Sequence, residues 1–147
     1  MSTSVGQILE RKGNKVFCTQ PDTSVLDALG LMAENDVGAI LVTEGSRLVG
    51  IFTERDYARK VVLHGRSSRD SKISELMTSN VLTVSPSQTL DSVMQMMTEN
   101  RIRHLPVVDH GALVGIVTIG DAVKAVMAEQ AATINHLASY ISGDLAP

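Results

Sequence analysis

The sequence predicts an α+β (α/β) chain built from two β-α-β-β-α units packed around a pseudo-twofold axis. Three observations carry this prediction: an internal repeat, the same order of hydrophobic patterns in both copies, and enough apolar residues for one shared core. Placing Val16 over Val81 aligns the chain with itself without a gap as far as Val61 over Val126. Pro21 falls on Pro86, Glu34-Asn35 on Glu99-Asn100, and Leu48-Val49-Gly50-Ile51 on Leu113-Val114-Gly115-Ile116. Thr53 falls on Thr118 and Asp56 on Asp121. The chain has 147 residues, 44% of them hydrophobic. A lone unit of ~50 residues would bury too little surface, and pairing two related units solves that problem.

Each element has its own signal. A short run rich in β-formers opens each copy, Val16 to Thr19 and Val81 to Val84, and a Pro with polar residues closes it. An apolar stripe at helical spacing follows: Val25, Leu29 and Met32, then Leu90, Val93, Met94 and Met97. Ser24 and Thr89 stand where helix N-caps are expected. The Met94, Met96, Met97 cluster reads as core packing. Two strands come next in each copy, Ala39 to Val42 with Leu48 to Phe52, and Leu105 to Val108 with Leu113 to Val117. Glu44-Gly45-Ser46 and Asp109-His110-Gly111 mark the turns between them. A final helix in each copy starts at Asp56 or Asp121.

These boundaries give a lead and first repeat over residues 1–63, a polar, basic linker over 64–72, a second repeat over 73–127 and a helical tail over 128–147. Ile73 to Thr78 leads into the second repeat, and Val5 to Leu9 is its weaker counterpart before the first. In the tail, Val123, Met127, Ile134, Leu137 and Ile141 keep spacings of a helical stripe interrupted by Gln130, with Gly143 as the expected stop. Such a stripe docks either on its own core or on another subunit.

Composition narrows the function. A net charge of −3 argues against a broad nucleic-acid footprint, and 3% aromatic residues with no Trp leaves no stacking platform. Cys18 is the only cysteine, which excludes an internal disulfide and a Cys-based metal cluster. It lies on an expected core strand, where a buried small hydrophobe is the default. The N-terminus lacks a secretory pattern and no apolar run approaches a membrane span, so a cytoplasmic protein is expected. No P-loop, no Gly-x-Gly-x-x-Gly and no nucleophile–base pair is present, and His64, His104, His110 and His136 share no motif.

One repeated motif permits chemistry. Gly50-Ile51-Phe52-Thr53-Glu54-Arg55-Asp56 and Gly115-Ile116-Val117-Thr118-Ile119-Gly120-Asp121 each sit where a strand meets a helix N-terminus. Free backbone N–H groups and the helix dipole there favour an anion. A Thr hydroxyl donates to a phosphate oxygen, and an Asp three residues on accepts from two vicinal hydroxyls of a ribose. Ordinary helix capping by the same Thr and Asp is the simpler reading of a single copy. Two copies in matching positions shift the balance toward a nucleotide, although duplication alone also preserves a cap.

Gly-Ile-Phe-Thr-x-x-Asp and Gly-Ile-Val-Thr-x-x-Asp, each closing a β-α-β-β-α repeat, resemble the nucleotide motif of cystathionine-β-synthase (CBS) domains. Leu76-Met77-Thr78 and His104-Leu105-Pro106-Val107-Val108-Asp109 add to the resemblance, which spans Val5 to about Val126. It implies a compact regulatory pair with two clefts that bind AMP, ADP or ATP, with NAD or S-adenosylmethionine in some members. Carried over, the first cleft uses Ile51, Thr53, Arg55 and Asp56, with Asn80, Val81 and Leu82 as the adenine wall. The second uses Ile116, Thr118, Gly120 and Asp121, walled by Val16, Phe17, Val37 and Gly38. Adenine recognition would rest on backbone groups and apolar contact.

The two clefts are expected to differ. The resemblance assigns Arg103 and His104 to the phosphate end of the first cleft or to a position between both, and Arg55 adds charge where the second copy has Gly120. The first cleft is thus expected to prefer more phosphate. Arg66, Arg69 and Lys72 read as a solvated basic loop, with reach toward a further phosphate as the alternative. The expected protein is a non-enzymatic homodimer that binds an adenosine nucleotide, holds no metal, and passes its signal to a separate effector protein. A ligand-free scaffold for protein interaction is the alternative.

Overall fold

The structure is a computed structural model that describes residues 3–142, so Gly143, the expected stop of the last helix, lies outside the described residues. In chain order the elements are α1 (Val5–Lys12), β1 (Cys18–Thr19), α2 (Val25–Glu34), β2 (Ala39–Glu44), β3 (Arg47–Thr53) and α3 (Glu54–Asp56). A π-helical segment (Tyr57–Val62) continues α3. Then come α4 (Ile73–Leu76), α5 (Leu90–Asn100), β4 (His104–Asp109), β5 (Ala112–Thr118) and α6 (Ile119–Ser142).

The caps form where the sequence placed them. Ser24 Oγ accepts the Asp27 N–H at 3.1 Å to start α2, and Thr89 Oγ1 accepts the Ser92 N–H at 3.2 Å to start α5. The last helices begin slightly earlier than expected, at Glu54 and Ile119, because Thr53 and Thr118 rather than the aspartates stand at the cap. Two-residue loops join β2 to β3 and β4 to β5. In the second, His110 (φ 49°) and Gly111 (φ 80°) are both left-handed, the geometry that matches hairpin twist.

The chain divides into two compact units whose membership does not follow the order of the repeats. One holds Lys15–Thr83 and Val108–Val114; the other holds the lead through Asn14, Val84–Val107 and the chain from Gly115 onward. In the first unit, β1 pairs parallel with β2, and β2 pairs antiparallel with β3. Its core is Val25, Ala28, Met32, Ile40, Val42, Phe52 and Val61, closed by Ile73 and Leu76 of α4. The other unit buries the matching set Leu90, Val93, Met97, Leu105, Val107 and Val117, together with Val5 and Ile8 of α1.

Each lead segment therefore packs on the repeat that does not adjoin it in sequence. The backbone bonds repeat residue for residue. Ile73 and Ser74 donate to the carbonyls of Thr23 and Pro21 at 2.8 and 3.1 Å; Val5 and Gly6 donate to those of Gln88 and Pro86 at 2.8 and 2.9 Å. Val25 donates to the Ser71 carbonyl at 2.9 Å, and Leu90 to that of Thr3 at 2.8 Å. Two glycines make room for the leads. A Cβ at Gly50 would collide with the Met77 side chain, and one at Gly115 would stand 2.8 Å from Leu9 Cδ2.

Two expectations need correction. The run Val81 to Val84 forms no strand, only a single parallel bridge between Val84 and Val107. In the first repeat the Leu41 N–H extends the ladder by donating to the Phe17 carbonyl at 3.0 Å. The matching residue is Pro106, which has no N–H to give. Cys18 is exposed rather than buried, because β1 is a two-residue edge strand and this residue points away from the core. Residual desolvation still pushes its thiol pKa up, so it stays protonated at neutral pH.

Candidate functional site

The two motifs fold alike. Thr53 Oγ1 accepts the Asp56 N–H at 3.1 Å while Asp56 Oδ2 accepts the Thr53 N–H at 3.0 Å. Thr118 Oγ1 accepts the Asp121 N–H at 3.2 Å while Asp121 Oδ2 accepts the Thr118 N–H at 2.8 Å. Both pairs are thus reciprocal caps. The first helical N–H is also taken: Glu54 donates to the Gly38 carbonyl at 3.1 Å, and Ile119 to that of Arg103 at 2.9 Å. The expected set of free first-turn donors is therefore reduced, because a cap and a neighbouring strand end satisfy two of them in each copy.

The carboxylates differ in what else they hold. Asp56 is buried, and four groups converge on it. Besides the Thr53 amide, its Oδ2 accepts the Thr53 hydroxyl at 3.2 Å, and its Oδ1 accepts the Thr78 hydroxyl at 3.2 Å and sits 3.0 Å from Lys60 Nζ. Asp121 is half-buried, and Lys12 Nζ approaches its Oδ2 at 2.6 Å while also donating to the Ile116 carbonyl at 2.9 Å. Among the described residues no other group bonds its Oδ1. Burial alone would raise the Asp121 pKa. The hydrogen bond from Lys12, the Thr118 amide, the Lys12 charge and the Thr118 hydroxyl outweigh it and hold the carboxyl below its ordinary value.

Of the residues assigned to the first cleft, Thr53 bonds Asp56 directly, and Ile51 is linked to it through Thr78. Ile51 is buried on β3 and exchanges two backbone bonds with Thr78, at 3.0 and 2.8 Å. The chain then runs from Thr78 into Asn80, Val81 and Leu82, of which Val81 is half-buried and the others exposed. Arg55 is exposed on α3. Arg103 and His104 lie in the other unit, the one that carries Thr118 and Asp121. There the Arg103 side chain is exposed and His104 begins β4 half-buried. Ile116 and Thr118 are half-buried on β5, and Gly120 is exposed in the first turn of α6.

Val16, Phe17, Val37 and Gly38 belong to the unit of the first repeat, where all four are half-buried. The carbonyls of Phe17 and Gly38 each accept one backbone bond, from Leu41 and Glu54. Arg66 is exposed, as expected of a solvated loop, and its guanidinium pairs with Glu75 at 2.7 Å. Sequence reasoning missed Lys60, Thr78 and Lys12. Lys60 stands four residues after Asp56, a legible helical pair. Lys12 meets Asp121 only through the exchange of leads and had no sequence signal. Among the described residues, no three His, Cys, Asp or Glu side chains gather to hold a metal ion. No described helix is long and apolar enough to cross a membrane.

Two copies of an α-β-β-α order, the first opened by strand β1 and the second by the single Val84–Val107 bridge, with a reciprocal Thr-x-x-Asp cap at each strand-to-helix junction, define a CBS-type regulatory pair. The chain belongs to the CBS-domain family, whose profile matches residues 5–63 and 73–128. It is 40% identical over 152 aligned residues to the mitochondrial CBS domain-containing protein CBSX3 of Arabidopsis thaliana, covering 97% of this chain and 73% of that one. A solved structure from Burkholderia ambifaria, named as a signal-transduction protein with CBS domains, is 50% identical with a TM-score of 0.83, covering 87% of this chain and 96% of that one. The CBS domain pair of protein MJ0100, solved with 5′-methylthioadenosine and S-adenosyl-L-methionine, is 27% identical with a TM-score of 0.77, covering 88% and 99%.

Proposed function

We propose that this CBS pair is a sensor that binds an adenosine-containing ligand and signals by binding rather than by turnover. The observation that carries the reading is the duplicated Thr-x-x-Asp junction, Thr53 to Asp56 and Thr118 to Asp121, in a fold whose relative MJ0100 holds two adenosine compounds. AMP, ADP and ATP are the first candidates, with NAD and S-adenosylmethionine next. A ribose diol needs an acceptor with a lone pair to spare. Asp121 offers its Oδ1, whereas Asp56 is already encircled by Thr53, Thr78 and Lys60. The site at Asp121 therefore fills first, with Lys12 beside it to meet the ligand's negative charge. Arg55 supplies charge at the other motif, and Arg103 and His104 stand on the same unit as Asp121.

The protein acts in the cytoplasm as a homodimer and passes its ligand state to a separate effector. A ligand can do so only by binding two conformations unequally. Calorimetric titration with AMP, ATP, NAD and S-adenosylmethionine tests the reading. Saturable binding of one of them, weakened about tenfold or more by Asp121→Asn, is expected from losing a charge-assisted bond. A folded protein that binds none of the four leaves the ligand-free scaffold as the better account.

A further inference from the structure

Helix α6 runs 24 residues, yet only its first part is docked. Ala122 and Ala125 are buried, and Glu129 is tied to Thr3, whose amide donates to Glu129 Oε1 at 3.0 Å. Beyond Glu129 nearly every residue to Ser142 is exposed. A free helix of ~12–15 residues is marginal in water, so a solitary extension of this length calls for a partner.

A second stripe lies roughly a third of the way round the helix from the docked one. It consists of Val123, Met127, Gln130, Ile134, Leu137 and Ile141. The spacing alternates between four and three residues throughout, the pattern of a coiled-coil seam and not of a helix lying on a globular core. Val123, Gln130 and Leu137 take the d positions; Met127, Ile134 and Ile141 take the a positions. The five apolar members are between 50% and 84% exposed, and Tyr140 beside them is 63% exposed. Side chains of this size leave on the order of 600 Å² open per protomer, close to the ~800 Å² per partner of a standard interface.

We infer that this stripe is the seam of a parallel two-stranded coiled coil with α6 of a second copy of this chain. Three features select that occupant. β-branched Ile at a with Leu at d favours two parallel strands. In a parallel pair Gln130 meets its own copy, so each amide finds a partner and a shifted register leaves it unpaired. From Gln130 to Ser142 there is no Lys, Arg, Asp or Glu, so two copies meet without charge repulsion. The inference does not depend on the ligand.

Sedimentation analysis of the full chain over a wide concentration series tests it. The expected result is a dimer that the double variant Ile134→Lys, Leu137→Lys weakens about tenfold or more. Both positions are exposed in the protomer, so the fold itself is spared, which far-UV and near-UV circular dichroism verify. Leu137→Cys in a Cys18→Ser background should form an interchain disulfide on mild oxidation. A monomeric wild type, a dimer indifferent to the two lysines, or a dimer that fails to cross-link at position 137 would overturn the seam.

Discussion

Asp56 and Asp121 occupy matching positions and carry different loads. Both close a cap with the preceding Thr, so replacing either with Ala removes a structural bond along with any ligand contact. Substitution by Asn keeps an acceptor for the Thr amide and separates the two roles. Thr118→Ala is expected to cost ~1 kcal/mol in chemical denaturation, the usual price of a lost cap. The depressed Asp121 pKa makes a pH prediction of definite sign. Its contribution to stability is present above the unfolded-state pKa of an Asp and is lost as the pH falls through the lower folded value. Acid titration of stability should therefore flatten below the ordinary carboxylate range in Asp121→Asn and in Lys12→Met. An unchanged slope in both would remove the pair from the acid response. Gly115→Ala should destabilise by ~1–3 kcal/mol through contact with Leu9, and adding Leu9→Ala should recover part of that loss.

At the scale of elements, the sequence disclosed most of what the structure contains. The helical stripes, the Ser24 and Thr89 caps and both hairpins were legible because each rests on residues a few positions apart. What it concealed depended on absent atoms or distant partners. The strand over Val81 to Val84 failed because Pro106 lacks an N–H, a fact about the neighbouring strand. The helix after Asp56 widens into π geometry, with Leu63 donating to the Ala58 carbonyl at 3.1 Å, whereas its counterpart α6 stays α-helical. The wider turns still leave the Lys60 ammonium 3.0 Å from Asp56. Lys60→Ala should leave a buried carboxylate with fewer partners and lower stability by ~1–3 kcal/mol, measured by urea unfolding. The candidate sites were legible as motifs, and Lys60 was legible from its spacing to Asp56, but the approach of Thr78 and Lys12 to the two carboxylates was not.

For the whole molecule, the exchange of lead segments decides how its parts depend on one another. Removing the lead through Lys12 strips Val5 and Ile8 from the buried set that contains Leu90 and Val93. Amide hydrogen exchange in such a truncated chain should therefore quicken first in α5 and in the docked part of α6. The β2–β3 ladder, which belongs to the other unit, should keep its protection; loss there instead would contradict the partition into units. Neither half of the sequence, cut in the linker, owns a complete core. Each half carries the closing piece of the other. Two separately made fragments should then be poorly structured alone and recover native-like order when mixed, as complementing strangers do. By the same logic, a single repeat made with its own lead would lack the piece that closes its core, unless a sister chain lent one in trade.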